Sequence, residues 1–387
     1  MNLHELAKKY EEYMLDLRHY FHMHPELSLQ EENTSLRIQK ELDEMGIPYE
    51  VVGCRNVVAK LEGGKPGKKL AIRADIDALP MEEEIDWEYK STVPGVMHAC
   101  GHDVHTATLL AAAKCLCEVK EELAGTVYLC FQVAEETSGG GPEDIVAYLK
   151  EHGGVDQVIS NHVMASIPGG VMLTNSGPMF AGNCQWRITV TGKGGHGSRP
   201  DLAVDPLRPA AMILNQITTI PVNYFDPFNT LVISPCMIHG GTAYNIIPDE
   251  CYIEGNLRHF HANELDGVLA QMEKIAKNTA EAFGATAKLE KIASCPPVEN
   301  DKEVTDTCIR IAKEVGIEVV KAEKPNMGSD DYGHFNNAFP GCYVSIGAQS
   351  DRPDASGNHH NTKFFLDEKA FLPIVEFFTA YAVDYLK

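Results

Sequence analysis

The sequence has 387 residues, 44% of them hydrophobic, and a formal net charge of −22. That length exceeds what one hydrophobic core usually holds, so two domains with full-sized cores are expected rather than a disordered chain. The charge argues against nucleic acids and anionic membranes as partners, because polyanions recruit basic patches.

Residues 3–24 show helical periodicity and run into a stop at Pro25. The stretch from Met1 to Arg18 is charged and has no apolar h-region, so no secretory leader is expected. Lys69 to Asp77 reads as a buried strand. Asp103 to Leu123 reads as an alanine-rich helix with Gly125 as its cap, and Thr126 to Val133 as another strand. This alternation predicts an α/β domain with helices on both faces of a sheet. The middle of the chain has a different rhythm. Strand signals at Trp186–Thr191, Thr230–Ile238, Glu250–Arg258 and Thr286–Ile292 enclose helices at Asp205–Ile220, with Pro206 in its first turn, and at Asn263–Phe283, closed by Gly284. The order is βαββαβ, a small sandwich inserted as a unit. The α/β rhythm then resumes with a helix at Lys302–Val315, a strand at Cys342–Gly347 and a last helix at Asp367–Leu386. The expected organisation is therefore a discontinuous domain, 1–182 with 295–387, split by an insert at 183–294.

The 11 cysteines are odd in number and irregularly spaced, with no CxxC pair. That argues for reduced thiols in a cytoplasmic protein rather than a disulfide framework. No window reaches about 18 uninterrupted apolar residues, so no membrane span is expected.

The densest chemical signal is His98-Ala99-Cys100-Gly101-His102-Asp103. Cys100 and His102, two apart in a loop before a helix, can turn toward one metal ion, and thiolate with imidazole suits zinc and its neighbours. The same residues also fit a helix N-terminus that carries no metal. Glu135-Glu136 follows an apolar strand and precedes the glycine run Gly139-Gly140-Gly141. Adjacent carboxylates point in different directions, so one can bind a metal while the other works as a general base; a solvated acidic loop is the plain alternative. His162 follows the strand-like Val158-Ile159, and His359-His360 lies near the C-terminus.

These motifs make the chain recognisable. It resembles the M20 family of metallopeptidases, in the amidohydrolase branch of hippurate hydrolases, auxin-conjugate hydrolases and N-acetyl-diaminopimelate deacetylases. The resemblance covers the whole chain. It runs through Arg18 and His22 with PEL at 25–27, RADIDALP at 73–80, MHACGHDVHTA at 97–107 and FQVAEE at 131–136. It continues with GKGGHGSRPD at 192–201, GGTAYNIIPDE at 240–250, MGSDDYGHF at 327–335, and His360 followed by FFLDE at 364–368.

The resemblance implies an α/β fold: a di-metal catalytic domain with a mostly parallel sheet flanked by helices, and the βαββαβ insert as a lid and dimerisation domain. It implies Cys100, His102, Glu136, His162 and His360 as ligands of two divalent ions, manganese or zinc, and Glu135 as the general base. Asp77 would orient a ligand histidine. His196 would polarise the substrate carbonyl, and Asn245 and Arg258 would bind substrate, Arg258 at the free carboxylate. The implied activity is amide hydrolysis of N-acyl amino acids, with a dipeptidase or carboxypeptidase as the alternative, in a homodimer. Three positions depart from the family pattern: Asp330 stands where glutamate is frequent, and Val133 and Thr362 where proline is. None removes a ligand.

Overall fold

The computed structural model describes residues 2–137 and 140–387, so Gly139 of the glycine run lies outside the described residues. The chain divides into two compact units. The first comprises Met1–Met179, Glu299–Lys324 and His334–Lys387; the second comprises Phe180–Val298 and Pro325–Gly333. The second unit is wider than the 183–294 read from the sequence and takes in the segment that carries the MGSDD motif.

The first unit is built on an eight-stranded sheet. Its spatial order is Tyr49–Val52, Asn56–Glu62, Ala124–Gln132, Lys65–Asp75, Gln157–Met164, Gly341–Gly347, Val171–Thr174 and Glu318–Lys321. The four central strands run parallel to one another. They are buried through Leu70–Asp75, Val127–Gln132, Val158–His162 and Gly341–Gly347, the near-continuous apolar run of a sheet covered on both faces. The helix His102–Val119 packs against the helices Glu11–Met23 and Leu372–Tyr385. Its own side chains are buried almost all round, which suits a helix in the middle of a layer rather than on a surface. Parallel strands bring their carboxyl ends to one edge of the sheet, and Asp75, the Glu135-Glu136 turn and His162 all arrive there.

The second unit is a four-stranded antiparallel sheet in the order Val232–Gly240, Glu250–His259, Gly182–Thr191, Thr286–Cys295. Helices Leu207–Ile217 and Leu265–Ala282 pack on it around Trp186, Ile188, Ile253 and Met272.

Several boundaries differ from the sequence reading. The stretch 3–24 forms two helices, Leu3–Lys9 and Glu11–Met23, with Tyr10 between them. Gly125 is not a helix cap: the helix ends at Val119, and Gly125 sits inside the strand Ala124–Gln132 with φ +145. A Cβ there would stand 2.0 Å from the Lys68 carbonyl oxygen, so close strand approach, not helix termination, demands glycine. The helices Glu32–Met45 and Pro142–Glu151 and the strands Tyr49–Val52 and Asn56–Glu62 add to the elements expected from the sequence. Among the described residues no helix is long and apolar enough to cross a membrane.

Candidate metal centre

In the first unit, Cys100 and His102 bracket Gly101, the residue that caps the helix His102–Val119. Gly101 has φ +92, and a Cβ on it would lie 2.3 Å from Val163 Cγ2. Only glycine makes this turn, and the turn puts thiol and imidazole on one side. Ligand atoms of Cys100, His102 and Glu136 lie within 4.8 Å of one another. Cys100 Sγ is 3.3 Å from His162 Nε2, and His360 Nε2 is 3.1 Å from Glu136 Oε1. The five candidate ligands thus form one connected cluster, with Glu135 next to Glu136 in the chain and half-buried.

Asp77 ties the cluster together. His102 Nδ1 donates to the Asp77 carbonyl oxygen at 2.9 Å and lies 3.1 Å from its Oδ1. Asp77 Oδ2 accepts from the Glu136 backbone N–H at 3.0 Å and from Ser28 Oγ at 2.7 Å. With Nδ1 so engaged, His102 Nε2 is the atom left to face the cluster, and it is buried. Burial opposes a charge on His102, but Asp75 and the Asp77 hydrogen bond outweigh it and raise its pKa well above the ordinary imidazole value. Burial, with the nearby Glu136, likewise pushes the Cys100 thiol well up. His102 keeps its proton because Asp75 and Asp77 favour its positive charge, and Cys100 keeps its proton because burial and Glu136 disfavour a thiolate. A divalent cation is the competitor that such a donor set of sulfur, nitrogen and carboxylate oxygen accepts in their place.

The two adjacent histidines near the C-terminus separate by geometry. His359 Nε2 accepts from the Ala165 backbone N–H at 3.2 Å, which leaves its Nδ1, 3.8 Å from Cys100 Sγ, as the protonated nitrogen. His360 instead has φ +53, and its ring is half-exposed beside Glu136, whose hydrogen bond raises its pKa. In this arrangement His360 has the freer nitrogen, and His359 packs against His162.

Another group, Asp75, His102 and His105, is fully buried and superficially ligand-like. The donor geometry speaks against a cation there. His105 Nε2 accepts from the Val163 N–H at 2.9 Å, so His105 Nδ1 carries the proton it gives to Asp75 Oδ1 at 2.5 Å. Asp75 Oδ2 already holds the Arg73 guanidinium at 2.6 Å. Burial raises the pKa of Asp75, but His102, Arg73 and His105 reverse this and bring it well below the usual carboxylate range. The sequence reading passes over Arg73, Asp75 and His105, because inside a strand and a helix they look like ordinary interior positions. The fragment RAD in RADIDALP was the available signal.

Arg18 and His22 also find their partner here. Arg18 Nε is 3.2 Å and His22 Nδ1 2.8 Å from Asp103 Oδ2, in the first turn of the helix that follows Cys100. Burial pushes Asp103 up, and Arg18 and His22 outweigh it.

His196, Asn245 and Arg258 lie in the second unit. The short ladder of Gly195–His196 with Ile246–Ile247 brings His196 beside Asn245, whose carbonyl accepts from Gly197 N–H at 2.8 Å. The segment before His196 is pinned, with Gly194 N–H on Asp249 and Lys193 paired to Val204. Arg258 is elsewhere. It pairs with Asn183, and its Nη1 donates to Ser329 Oγ at 3.3 Å. From Arg258 to Glu250 the strand runs eight residues, roughly 27 Å, and beyond that end the chain enters the separate short ladder that holds His196. The two side chains therefore sit at opposite ends of one unit.

Comparison with known proteins adds the following. The profile of peptidase family M20/M25/M40 matches residues 71–384. The chain is 38% identical to thermostable carboxypeptidase 1 of Saccharolobus solfataricus, over 94% of this chain and 92% of the relative. It is 32% identical to N-acetylcysteine deacetylase of Bacillus subtilis, over 97% of each. The solved structure of Bacillus subtilis YXEP, described as a dinuclear metal binding peptidase from the M20 family, is similar with a TM-score of 0.83 and 30% identity, over 98% of this chain and 99% of that one.

Proposed function

The chain belongs to peptidase family M20/M25/M40 and is a hydrolytic enzyme, and from that premise we propose that it uses water to cleave the amide bond of small N-acyl amino acids, acetylated, benzoylated or similar. The observation that carries this reading is the cluster of Cys100, His102, Glu136, His162 and His360 at the carboxyl edge of the sheet, with a second carboxylate, Glu135, beside it. The relative named N-acetylcysteine deacetylase supports the acyl-amino-acid substrate. The higher identity to a carboxypeptidase supports a second reading, cleavage of a small peptide, since the scissile bond is the same amide.

Cys100, His102, Glu136, His162 and His360 would hold two divalent ions, manganese or zinc. Such ions supply Lewis-acid charge that acidifies water and stabilises a developing oxyanion. Glu135 takes the proton from the attacking water and returns it to the leaving amine. Asp77 holds the His102 ring through Nδ1 and the Glu136 backbone through its N–H, so both keep their orientation. Arg258 binds the free carboxylate of the substrate with a charge-assisted fork, Asn245 contributes a further polar contact, and His196 polarises the scissile carbonyl. Eleven free cysteines suit a reducing cytoplasm.

The test is a panel of N-acetyl, N-benzoyl and dipeptide substrates on protein loaded with manganese or zinc, with bound metal counted on the same sample. Two ions per chain, loss of turnover with a chelator, and preference for the acyl amino acids are expected. Absence of any stoichiometric divalent ion on loaded protein would sink the metal reading, and a preference for dipeptides would select the peptidase. Within the panel, Arg258→Ala should raise KM for substrates with a free carboxylate by about one to two decades, the worth of a charge-assisted hydrogen bond, and leave the corresponding amides little changed.

The second unit serves as lid and dimerisation domain. A small substrate is far shorter than the separation of Arg258 from His196, so one chain cannot offer both to it, and His196 would come from a second copy. The edge strand Val232–Gly240 exposes Met237 and Ile238, the kind of unpaired apolar edge that a second copy covers. Mixing inactive His196→Ala with inactive Glu135→Gln under subunit exchange should restore activity, because a mixed dimer holds one site with both residues intact. Demonstrated exchange without recovery would place His196 outside catalysis in trans.

A further inference from the structure

Among the described residues, three that are not glycine adopt a positive φ: Leu29 at +65, Ala134 at +60 and His360 at +53. Each costs roughly 1–2 kcal/mol against a right-handed backbone, and such strain persists only where surrounding structure holds it. Ala134 immediately precedes Glu135-Glu136, so its left-handed turn decides where both carboxylates point.

The turn is held through its amides by three side chains, each almost wholly buried. Val133 N–H donates to Asn56 Oδ1 at 3.0 Å, Ala134 N–H to Glu31 Oε1 at 2.8 Å, and Glu136 N–H to Asp77 Oδ2 at 3.0 Å. Asn56 is fixed in turn by donating to the Gly141 carbonyl at 3.0 Å, on the far side of the turn. Glu31 is the acceptor on the strained residue itself. It stands two residues after the second left-handed position, Leu29, whose carbonyl accepts from Arg55 Nη1 at 3.1 Å. Its backbone carbonyl receives the Ser35 N–H that opens the helix Glu32–Met45. A fully buried carboxyl is costly, and as a mere helix-start residue Glu31 would gain nothing from burial.

We propose that Glu31 is a positioning residue for hydrolysis: by accepting the Ala134 N–H it holds the left-handed turn that aims Glu135 and Glu136 in their separate directions. The proposal rests on the reading of Glu135 as base and Glu136 as ligand. Glu31 touches neither substrate nor ligand atoms and acts only through the backbone of residue 134.

The test uses the full-length, metal-loaded enzyme. Glu31→Gln retains an acceptor oxygen, and its kcat is expected within about threefold of the parent. Glu31→Leu removes the acceptor and should lower kcat about ten- to a hundredfold, the cost of misplacing a reacting group by a fraction of the 1 Å scale, with KM nearly unchanged. Glycine accepts a positive φ without help. Ala134→Gly should therefore be close to neutral alone and should recover a substantial part of the loss when combined with Glu31→Leu. A purely structural role would make the Gln and Leu variants equally poor or leave the double variant unrescued, and either result overturns the proposal. Should Glu31→Leu not fold, the same pair is read by thermal melting: Glu31→Leu combined with Ala134→Gly must then restore a cooperative transition, and failure to do so also overturns it. Glu135→Gln is assayed alongside. Wild-type turnover in that variant would defeat the reading of the base, whereas the rescue by Ala134→Gly reports on the turn alone.

Discussion

Glu135→Gln should lower kcat by about two to four orders of magnitude while bound metal stays at the parental level, and Glu136→Gln should lose metal as well as turnover. The neighbours separate because of their surroundings. Glu136 lies within ligand distance of Cys100 and His102, contacts His360, and has its backbone tied to Asp77. Glu135, next along the chain, is the carboxylate outside that ligand group and half-exposed, which suits a group that must exchange a proton rather than hold a cation. An amide in place of Glu135 keeps shape and removes basicity, so only the proton transfer suffers. An amide in place of Glu136 weakens a ligand, so affinity suffers too. Metal content and single-turnover rates measured on both variants decide the matter: equal metal loss in the two would refute the division of labour.

Arg73→Leu should destabilise the first unit by about 3–5 kcal/mol, the usual cost of leaving a buried charge without its partner. Arg73 and Asp75 side chains are fully buried, with Nη1 on Oδ2 at 2.6 Å and Arg73 Nε on Gln132 Oε1 at 2.8 Å. His105 cannot replace the guanidinium, since its Nε2 is committed as an acceptor to Val163 N–H. In a unit of this size the loss corresponds to a fall of about 6–10 °C in melting temperature. The pH dependence has a definite sign. The folded-state pKa of Asp75 is depressed, so its ion pairing adds stability that is present above the unfolded carboxylate value and lost as pH falls through the lower folded value. Removing Arg73 raises that folded value, so the penalty is largest near neutrality and shrinks in acid, where Asp75 becomes neutral. Adding Asp75→Asn should recover part of the stability. A pH-independent penalty, or one below about 1 kcal/mol, would show that the pair is not a buried charge pair of this kind.

The connection from sequence to site was uneven, and the unevenness has physical causes. Cys100 with His102 and Glu135 with Glu136 are legible because each pair is local: two groups within three residues bring their own geometry. His162 and His360 are legible only through the family resemblance, since a histidine in or after a strand is usually structural. His359 and His360 differ through the Ala165 N–H on His359, which lies far away in sequence and near in space. Glu31 carries no chemical signal of its own in the sequence. Its partner, Ala134, is about a hundred residues away, and nothing in an alanine announces a left-handed backbone.

The family came from the resemblance of the motifs, whereas composition and periodicity by themselves determined the α/β class and the βαββαβ order of the middle segment, because these depend on patterns that repeat within a few turns or strands. They also pointed to most of the strands and helices that carry the site, though the short outer strands Tyr49–Val52 and Val171–Thr174 lacked enough residues to show a period. Only the tertiary structure decided which carboxylate faces which histidine, that Asp75 belongs to Arg73 and His105 rather than to a cation, and that Gly125 serves strand contact. It also decided that His196 lies on a short two-stranded ladder, beyond the far end of the strand that carries Arg258. Each of these turns on a hydrogen bond or a register between residues distant in the chain, and a proton donor, unlike a hydrophobic face, leaves no periodic trace in the sequence that precedes it.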